Sequence, residues 1–202
     1  MASYVGDARL TGQFNYASLA TIIASQRGRH IPILAPTVTK QTGDNDFTLI
    51  AYLNSTDWMK PLLGIPLNIL QPIQLRSSVE DSHNSLVVQC MAPRFTYNDK
   101  TFTAANLSLQ STADSLVCST GVVKHQDNGD LLDLSASCRA SDNLVDASLK
   151  WCNDKKTRGE LNATSSFGKN DRGVNYAHVV VNPSNITIGE KTWQVRSSDI
   201  LY

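Results

Sequence analysis

The sequence predicts a mostly β protein built as an antiparallel meander, and three observations support this fold class. Apolar residues alternate with Ser, Thr, Asn and charged residues along most of the chain, which is the period of half-buried strands. Short links rich in Asn, Asp and Gly separate these stretches, as they do in antiparallel hairpins. Helical spacing of apolar residues is confined to two short segments in the first 80 residues.

The clearest alternation runs through Leu132–Ala140, where every even position is apolar and every odd position is polar. The phase flips across Ser141–Asn143, as expected where a hairpin turn reverses the chain. A turn-rich segment at Gln126–Asp130 precedes this strand, and the loop Asn153–Thr157 follows the next one. Further stretches with the same period are Leu107–Leu109, Leu116–Val122, Val145–Trp151 and Leu161–Phe167.

These phases also predict the register of the meander. A turn centred on Asn128 places Cys118 directly opposite Cys138. The phase rule requires paired residues to share one face of the sheet. The other predicted pairs are Val122 with Leu134, Ala140 with Val145, Ala136 with Leu149, Leu134 with Trp151, Leu161 with Trp151, and Phe167 with Val145.

One continuous apolar face follows from this register. Asp133, Lys150 and Asn162 fall on the opposite phase and are expected to face solvent. The residues expected to line the apolar face are Leu107, Leu109, Leu116, Cys118, Val122, Leu132, Leu134, Ala136, Cys138, Val145, Ala147, Leu149, Trp151, Leu161, Ala163 and Phe167.

The chain divides by pattern into residues 1–80 and a meander over residues 81–202 that continues from it. In the first part, the strand Ala8–Phe14 and a short helix at Ser18–Ser25 are followed by the strand Asp46–Leu53 and a short helix at Asp57–Leu63. We interpret this as a repeated strand–short-helix unit; the alternative is two unrelated amphipathic turns.

No constellation for catalysis, metal binding or cofactor binding stands out, so we expect a non-enzymatic protein. His30, His83, His125 and His178 are scattered without ligand spacing and are expected to be solvated loop residues. Asx-rich turns explain Asp44–Asp46 and Asp127–Asp130 better than calcium loops, which need a distal bidentate Glu. The match of Ser166–Lys169 to SxxK lacks the companion motifs of a serine enzyme.

The four cysteines have no CxxC spacing. Cys90, Cys118 and Cys138 lie on the apolar phase of their strands, where a free thiol acts as a small hydrophobic group, whereas Cys152 lies on the polar phase. We therefore expect free thiols, with a disulfide framework as the alternative.

Charge and hydropathy exclude several classes of partner. With 18 Lys and Arg against 18 Asp and Glu, the chain offers no basic surface for nucleic acid. No apolar run approaches the roughly 20 residues of a membrane helix. Polar, strand-like sequence begins directly after Met1, so we expect no signal peptide, and either a cytosolic protein or an internal piece of a longer chain.

The order of these parts is similar to a known family. Near the end, Pro183-Ser184-Asn185-Ile186 is followed by Trp193-Gln194-Val195-Arg196-Ser197-Ser198-Asp199-Ile200. This pair of segments resembles the TamB (translocation and assembly module) proteins of the AsmA-like superfamily, in their Bacteroidetes form. Phe47–Val79, with Asp57-Trp58-Met59-Lys60-Pro61-Leu62-Leu63, also resembles that family, so the likeness extends over nearly the whole chain.

The resemblance implies a β-taco, which is a long antiparallel sheet bent into a U with an apolar concave groove. It implies a segment of a periplasm-spanning parent, anchored in the inner membrane, that carries phospholipid acyl chains between the inner and outer membranes. The implied partner of the parent chain is an Omp85-type outer-membrane protein.

Other interpretations share the same alternation. A scaffold could present open strand edges to nascent outer-membrane strands. A closed β-sandwich, acting as a secreted binding module, would pack the same apolar faces on each other. An unrecognised hydrolase is disfavoured because the sequence shows no acid–base constellation.

Overall fold

One antiparallel sheet dominates the computed structural model, which describes residues 5–15, 22, 28–34, 45–57, 61, 64–154 and 156–202. Single-turn 3₁₀ helices lie at Pro32–Leu34 and Asp81–His83. The strands of the sheet are β1 (Gly6–Gln13), β2 (Asp46–Leu53), β3 (Leu67–Ile69), β4 (Ile73–Glu80), β5 (Ser85–Tyr97), β6 (Lys100–Ser111), β7 (Leu116–His125), β8 (Leu131–Ser141), β9 (Leu144–Asn153), β10 (Thr157–Lys169), β11 (Asn175–Val181), β12 (Ser184–Ile188), β13 (Lys191–Val195) and β14 (Ser198–Leu201).

The sheet is open. Its strand order is β1-β2-β4-β5-β6-β7-β8-β9-β10-β11-β14, with β3 beside β5 and with β12 joining β10 to β13. Among the described residues, β1 pairs with β2 alone and β14 with β11 alone, so the two ends of the order do not meet. The predicted mostly β, antiparallel fold with an open groove-like sheet is confirmed, and the closed sandwich is not the arrangement found.

The predicted register is confirmed from β7 to β9. Cys118 pairs with Cys138 and Val122 with Leu134, while Ala136 pairs with Leu149. The turn supports this register because Gln126 N–H donates to Asp130 O at 2.9 Å and Asp130 N–H donates to Asn128 Oδ1 at 3.1 Å. The Asx turn expected at this position is therefore present.

The predicted register between β9 and β10 is wrong by one two-residue step. Leu161 pairs with Leu149 rather than with Trp151, and Ser165 rather than Phe167 pairs with Val145. Trp151 instead faces Gly159, whose α-carbon lies under the indole ring, so a Cβ at that position would clash with ring atom Cζ2. An aromatic ring that covers a glycine on the neighbouring strand helps to define the register of a sheet. The alternation of apolar and polar residues does not reveal such a contact.

Both predicted N-terminal strands are present, with β2 at the expected Asp46–Leu53. The helices expected at Ser18–Ser25 and Asp57–Leu63 lie mainly outside the described residues. The structure describes only Ile22 in the first segment and only Asp57 and Pro61 in the second. Residues 28–30 are helical. In the described part of the chain, no helix has the length and apolar character needed to cross a membrane.

A β-bulge interrupts the sheet between β6 and β7. The register shifts between Thr103 and Asn106, and Ala104 adopts a left-handed φ of 53°. A bulge adds one residue to one strand and so changes which residues share a face. This is why the apolar positions of β6 are even at Phe102 but odd at Leu107 and Leu109.

The folded chain exposes far more surface than a compact protein of its mass. Its accessible area is 13383 Å², whereas about 9,000 Å² is expected for a compact 22.1 kDa monomer. The main buried cluster comprises Ile22, Phe47, Val79 and Leu86, all at one end of the sheet. Outside this cluster, most of the described residues on the apolar side of β6–β10 keep part of their surface accessible.

Candidate functional site

The register brings the predicted lining residues to one side of the sheet, which we call the apolar face. Residues that pair directly across antiparallel strands point to the same side. One row of such pairs crosses five strands and consists of Leu109, Cys118, Cys138, Ala147 and Ala163. The neighbouring rows contain Leu107, Thr120, Ala136, Leu149 and Leu161; Leu116, Ala140, Val145 and Ser165; and Val122, Leu134, Trp151 and Gly159.

The same rule places Leu132 and Phe167, the remaining predicted lining residues, on the apolar face. The face also extends beyond the prediction on both sides. Toward the N-terminus it continues through Leu75 and Cys90 to Leu86 and Val88, and toward the C-terminus through Val179 and Ile200.

The opposite side of the sheet is polar, as predicted for Asp133, Lys150 and Asn162. Lys150 Nζ lies 3.3 Å from Glu160 Oε1, and Asn162 donates to that carboxylate at 3.2 Å. These two contacts hold the pKa of Glu160 below its ordinary value. A sheet with one apolar and one hydrated face is common among antiparallel sheets, but the apolar face is normally covered.

A shallow apolar depression lies in the middle of the apolar face. Its volume is about 360 Å³. It forms where the row of small side chains Cys118, Cys138, Ala147 and Ala163 lies beside the larger Leu149 and Leu161. Leu149 is 43 % exposed despite pointing to this side. The depression therefore offers mainly apolar contact. Thr120, Ser137 and Ser148 also line it, and the Thr120 hydroxyl donates to Asn106 O at 2.8 Å.

One end of the apolar face is covered. Ile22 packs on Phe47, Val79 and Leu86, and the Phe14 ring meets Phe47 edge-on at 6.1 Å between ring centroids. Val79 is 2 % exposed. The apolar face thus has two environments, one buried under Ile22 and Phe14 and one open over the depression.

A segment of six residues, 28–33, crosses the hairpin turns at the covered end, and we call it the strap. Arg29 Nη2 donates to Asn84 Oδ1 at 2.6 Å in the turn before β5. His30 shares a 2.9 Å hydrogen bond with Ser111 Oγ at the end of β6. Asn143, in the β8–β9 turn, donates its N–H to His30 O at 2.9 Å and accepts the Ile33 N–H on Oδ1 at 3.2 Å. The strap therefore ties together the β4–β5, β6–β7 and β8–β9 turns, which lie at the same end of the sheet.

The expectation of solvated loop histidines is wrong for His30, which is 2 % exposed. A polar ring is stable at such a position because its hydrogen bonds replace those to water. Burial lowers the pKa of His30, and the nearby Arg29 lowers it further, while a hydrogen bond to the backbone of Thr112 and the Asp142 carboxylate act in the opposite direction. Of the others, His83 is exposed beside Glu80, and His125 hydrogen-bonds Thr103 at 3.0 Å.

His30 should make stability depend on pH. The unfolded chain protonates this imidazole near its ordinary value of 6.5, whereas the folded state resists protonation because its pKa is lowered. The contribution of His30 to the free energy of unfolding should therefore be fully present above pH 6.5 and be lost as the pH drops below that value. In His30→Gln, which keeps a hydrogen-bonding group for Ser111 but does not titrate, urea unfolding at a series of pH values should show a shallower decline. Identical slopes in the two proteins would refute this role.

The four cysteines are free thiols. Cys118 and Cys138 pair directly on the apolar face, and burial followed by the neighbouring Cys138 raises the pKa of the Cys118 thiol. Cys152 pairs with Asp133 and Arg158 on the polar side, as predicted.

A polar cluster on the opposite side was not predicted as a unit. Ser166 pairs with His178 across β10 and β11, and His178 Nε2 hydrogen-bonds Asp199 of β14. The SxxK match at Ser166 was a partial signal in the sequence. The pairing of Ser166 with His178, however, depends on the β10–β11 hairpin, which the match does not predict. Asp199 is 71 % exposed on its side chain, and Ser166, His178 and Asp199 line an open depression together with Asn170, Tyr176 and Leu201.

The Asp-rich turn beside β8 is occupied by lysines. Lys100 Nζ lies 2.7 Å from Asp127 Oδ2, and Lys156 Nζ lies 2.7 Å from Asp130 Oδ2. In the part of the chain that the structure describes, no cluster of three or more His, Cys, Asp or Glu side chains is arranged to hold a metal ion.

Comparison with known proteins identifies no relative. No family model matches the chain, and neither a curated protein nor a solved structure does so. The apolar face must therefore be interpreted from its own geometry.

Proposed function

We propose that this chain is a segment of a periplasm-spanning envelope protein whose apolar face carries phospholipid acyl chains between the inner and outer membranes. The observation that supports this proposal most strongly is the uncovered apolar face of the open sheet, with Leu149 at 43 % exposure and the depression beside it. Exposed apolar patches of this kind mark interaction surfaces, because a monomer gains nothing from leaving them in water.

An acyl chain suits this surface better than a polar ligand. The depression is lined mainly by Leu, Ala and Cys, with Thr120, Ser137 and Ser148 among the lining residues. Burial of each methylene there contributes about 0.8 kcal/mol without any directional contact. Several methylenes together hold a chain loosely. An acyl chain offers no hydrogen-bonding group, and the Thr120 hydroxyl of the lining is already bonded to Asn106 O, so the chain is free to slide. Such weak, unspecific contact is what a conduit requires.

The proposal is tested by lipid retention combined with thiol protection. The full chain is mixed with vesicles of phosphatidylethanolamine and phosphatidylglycerol carrying a fluorescent phospholipid, and then separated from them. Bound lipid should slow maleimide labelling of Cys118 and Cys138, which line the depression, and leave Cys152 on the polar side unchanged. Equal labelling of all these thiols with and without lipid, or no retained lipid, would count against the proposal.

Filling the depression should reduce lipid retention. Ala147 is exposed within it, so Ala147→Phe should fit without strain but displace two or three methylenes of a bound chain. At about 0.8 kcal/mol each, retention should weaken roughly tenfold or more. Ser119→Phe, which places the same ring on the polar side of β7, is the matched control. Unchanged retention in Ala147→Phe would remove the depression from the lipid path.

A second candidate, assistance to outer-membrane protein assembly, is favoured by the sheet edges. Among the described strands, β1 and β14 each pair on one side only, which leaves backbone groups available for an added strand. A peptide from an outer-membrane β-strand should then bind with hydrogen-exchange protection confined to β1 or β14. Protection over the depression instead would favour the lipid function.

A further inference from the structure

Cys118 and Cys138 are direct cross-strand neighbours. They pair in the β7–β8 register, and each is partly buried. This contact is unusual for two residues whose expected role is apolar lining, because it places two oxidisable sulfur atoms side by side.

The hairpin turn defines what kind of pair they form. Gln126 N–H donates to Asp130 O, which makes that pair a hydrogen-bonded one. Such pairs recur at every second residue of an antiparallel ladder, and Cys118 has the same parity in β7 as Gln126. On the other side of β7, Thr112 N–H donates to Ser115 O, so Leu109 and Cys118 fall on the non-hydrogen-bonded positions, as the geometry requires.

The Cα atoms of a hydrogen-bonded antiparallel pair lie about 5.5 Å apart, within the range that disulfides span. The Cβ atoms of such pairs lie about 5 Å apart, at or beyond the upper end of the disulfide range, so the strands must approach slightly for the bond to close. A bond formed with such an adjustment is more readily reduced than a relaxed structural disulfide.

We propose that Cys118 and Cys138 form a reversible dithiol–disulfide site in the wall of the apolar face, which reacts with low-molecular-mass disulfides such as glutathione disulfide. One of the two thiolates attacks a sulfur of glutathione disulfide, which forms a mixed disulfide and releases one glutathione thiolate. The second protein thiolate attacks the protein-bound sulfur, forms the Cys118–Cys138 bond and releases the second glutathione. Two electrons pass to glutathione disulfide, and the two protein thiols lose their protons.

The other two cysteines are excluded from this site by the fold. Cys90 faces Leu75 and Leu107 on neighbouring strands of the apolar face. Cys152 points to the polar side between Asp133 and Arg158. Neither has a thiol as its cross-strand neighbour, so both serve as internal controls.

The site does not depend on the proposed lipid function. Both sulfur atoms line the depression, so an occupant would cover them, but the exchange itself requires only the pairing of β7 with β8. A protein that binds no lipid would therefore not contradict the dithiol site. A protein that shows no thiol–disulfide exchange would likewise not contradict lipid binding.

The test uses the full chain without lipid. The reduced protein is incubated with glutathione disulfide at mildly alkaline pH, quenched with acid, alkylated, and mapped by mass spectrometry without reduction. We expect two of the four thiols to be lost, a peptide linked through Cys118 and Cys138, and complete return of both thiols on addition of reduced glutathione. Cys90 and Cys152 should be alkylated as before.

Single variants make the result specific. Cys118→Ser and Cys138→Ser should each stop at the mixed disulfide with glutathione, whereas Cys90→Ser and Cys152→Ser should form the linked peptide as fast as the parent. In urea, where the register is lost, pairing among the four cysteines should become mixed. A folded parent that stops at the mixed disulfide, or that links Cys90 or Cys152 instead, would overturn the proposal.

Discussion

Leu149→Asp should abolish lipid retention and leave the sheet folded. Leu149 lies on the apolar face beside the depression, but its 43 % exposure lets a carboxylate at this position keep contact with water. The carboxylate would lose that water only when an acyl chain covers it, at a cost of about 3 kcal/mol or roughly a hundredfold in retention. Thermal melting should stay within a few degrees of the parent, while retention of a fluorescent phospholipid after gel filtration should disappear.

The matched control is Ser135→Asp. Ser135 is exposed on the polar side and pairs with Lys150. The substitution therefore adds the same negative charge opposite a lysine, away from the apolar face, and should leave lipid retention unchanged. Loss of retention in both variants would mean that charge, and not the apolar face, determines binding. A collapsed melt in Leu149→Asp would mean that another layer covers this position in solution.

Val79→Asp should have the opposite outcome and unfold the protein. Val79 points to the same side of the sheet, where it pairs with Phe47 and Leu86, but Ile22 covers it and its exposure is 2 %. An unpaired carboxylate at this position costs several kcal/mol, which is most of the 5–15 kcal/mol that typically stabilises a domain. Urea unfolding followed by circular dichroism should show loss of the cooperative transition or a midpoint far below that of the parent.

Ser78→Asp controls for the added charge on β4. Ser78 is the neighbouring residue on the polar side, opposite Thr48 and Val87, and the substitution should change stability by no more than about 0.5 kcal/mol. A folded Val79→Asp protein with parent-like stability would show that the cluster under Ile22 does not carry the fold.

The sequence contained enough information for the register of the central meander. Alternation over Leu132–Ala140, the phase flip at the following turn and the Asn-rich turn before it sufficed to pair Cys118 with Cys138 and Ala136 with Leu149. Period-two patterns are reliable here because a slip by one residue would bring polar side chains onto the apolar face. All of the predicted lining residues consequently share one side.

The same pattern could not determine the step from β9 to β10. A slip by two residues keeps every apolar side chain on its face, so alternation permits both registers. The choice follows from the fit of the Trp151 ring over Gly159, which depends on side-chain shape and not on polarity. The β6–β7 bulge at Ala104 was not predicted for a related reason, because residue types alone do not show where one extra residue is inserted into a strand.

By itself, the sequence determined that this protein is a two-faced antiparallel sheet, because backbone geometry converts alternation of polarity directly into sides. Only the tertiary structure decided which part of the apolar side is covered. The strap and Ile22 reach that end through contacts between residues far apart in the chain, such as His30 with Ser111 and Ile33 with Asn143. Contacts of this kind depend on where the turns meet in space. His30, a loop residue by pattern, is therefore buried at the covered end, whereas Leu149, an apolar position by pattern, remains open to a ligand.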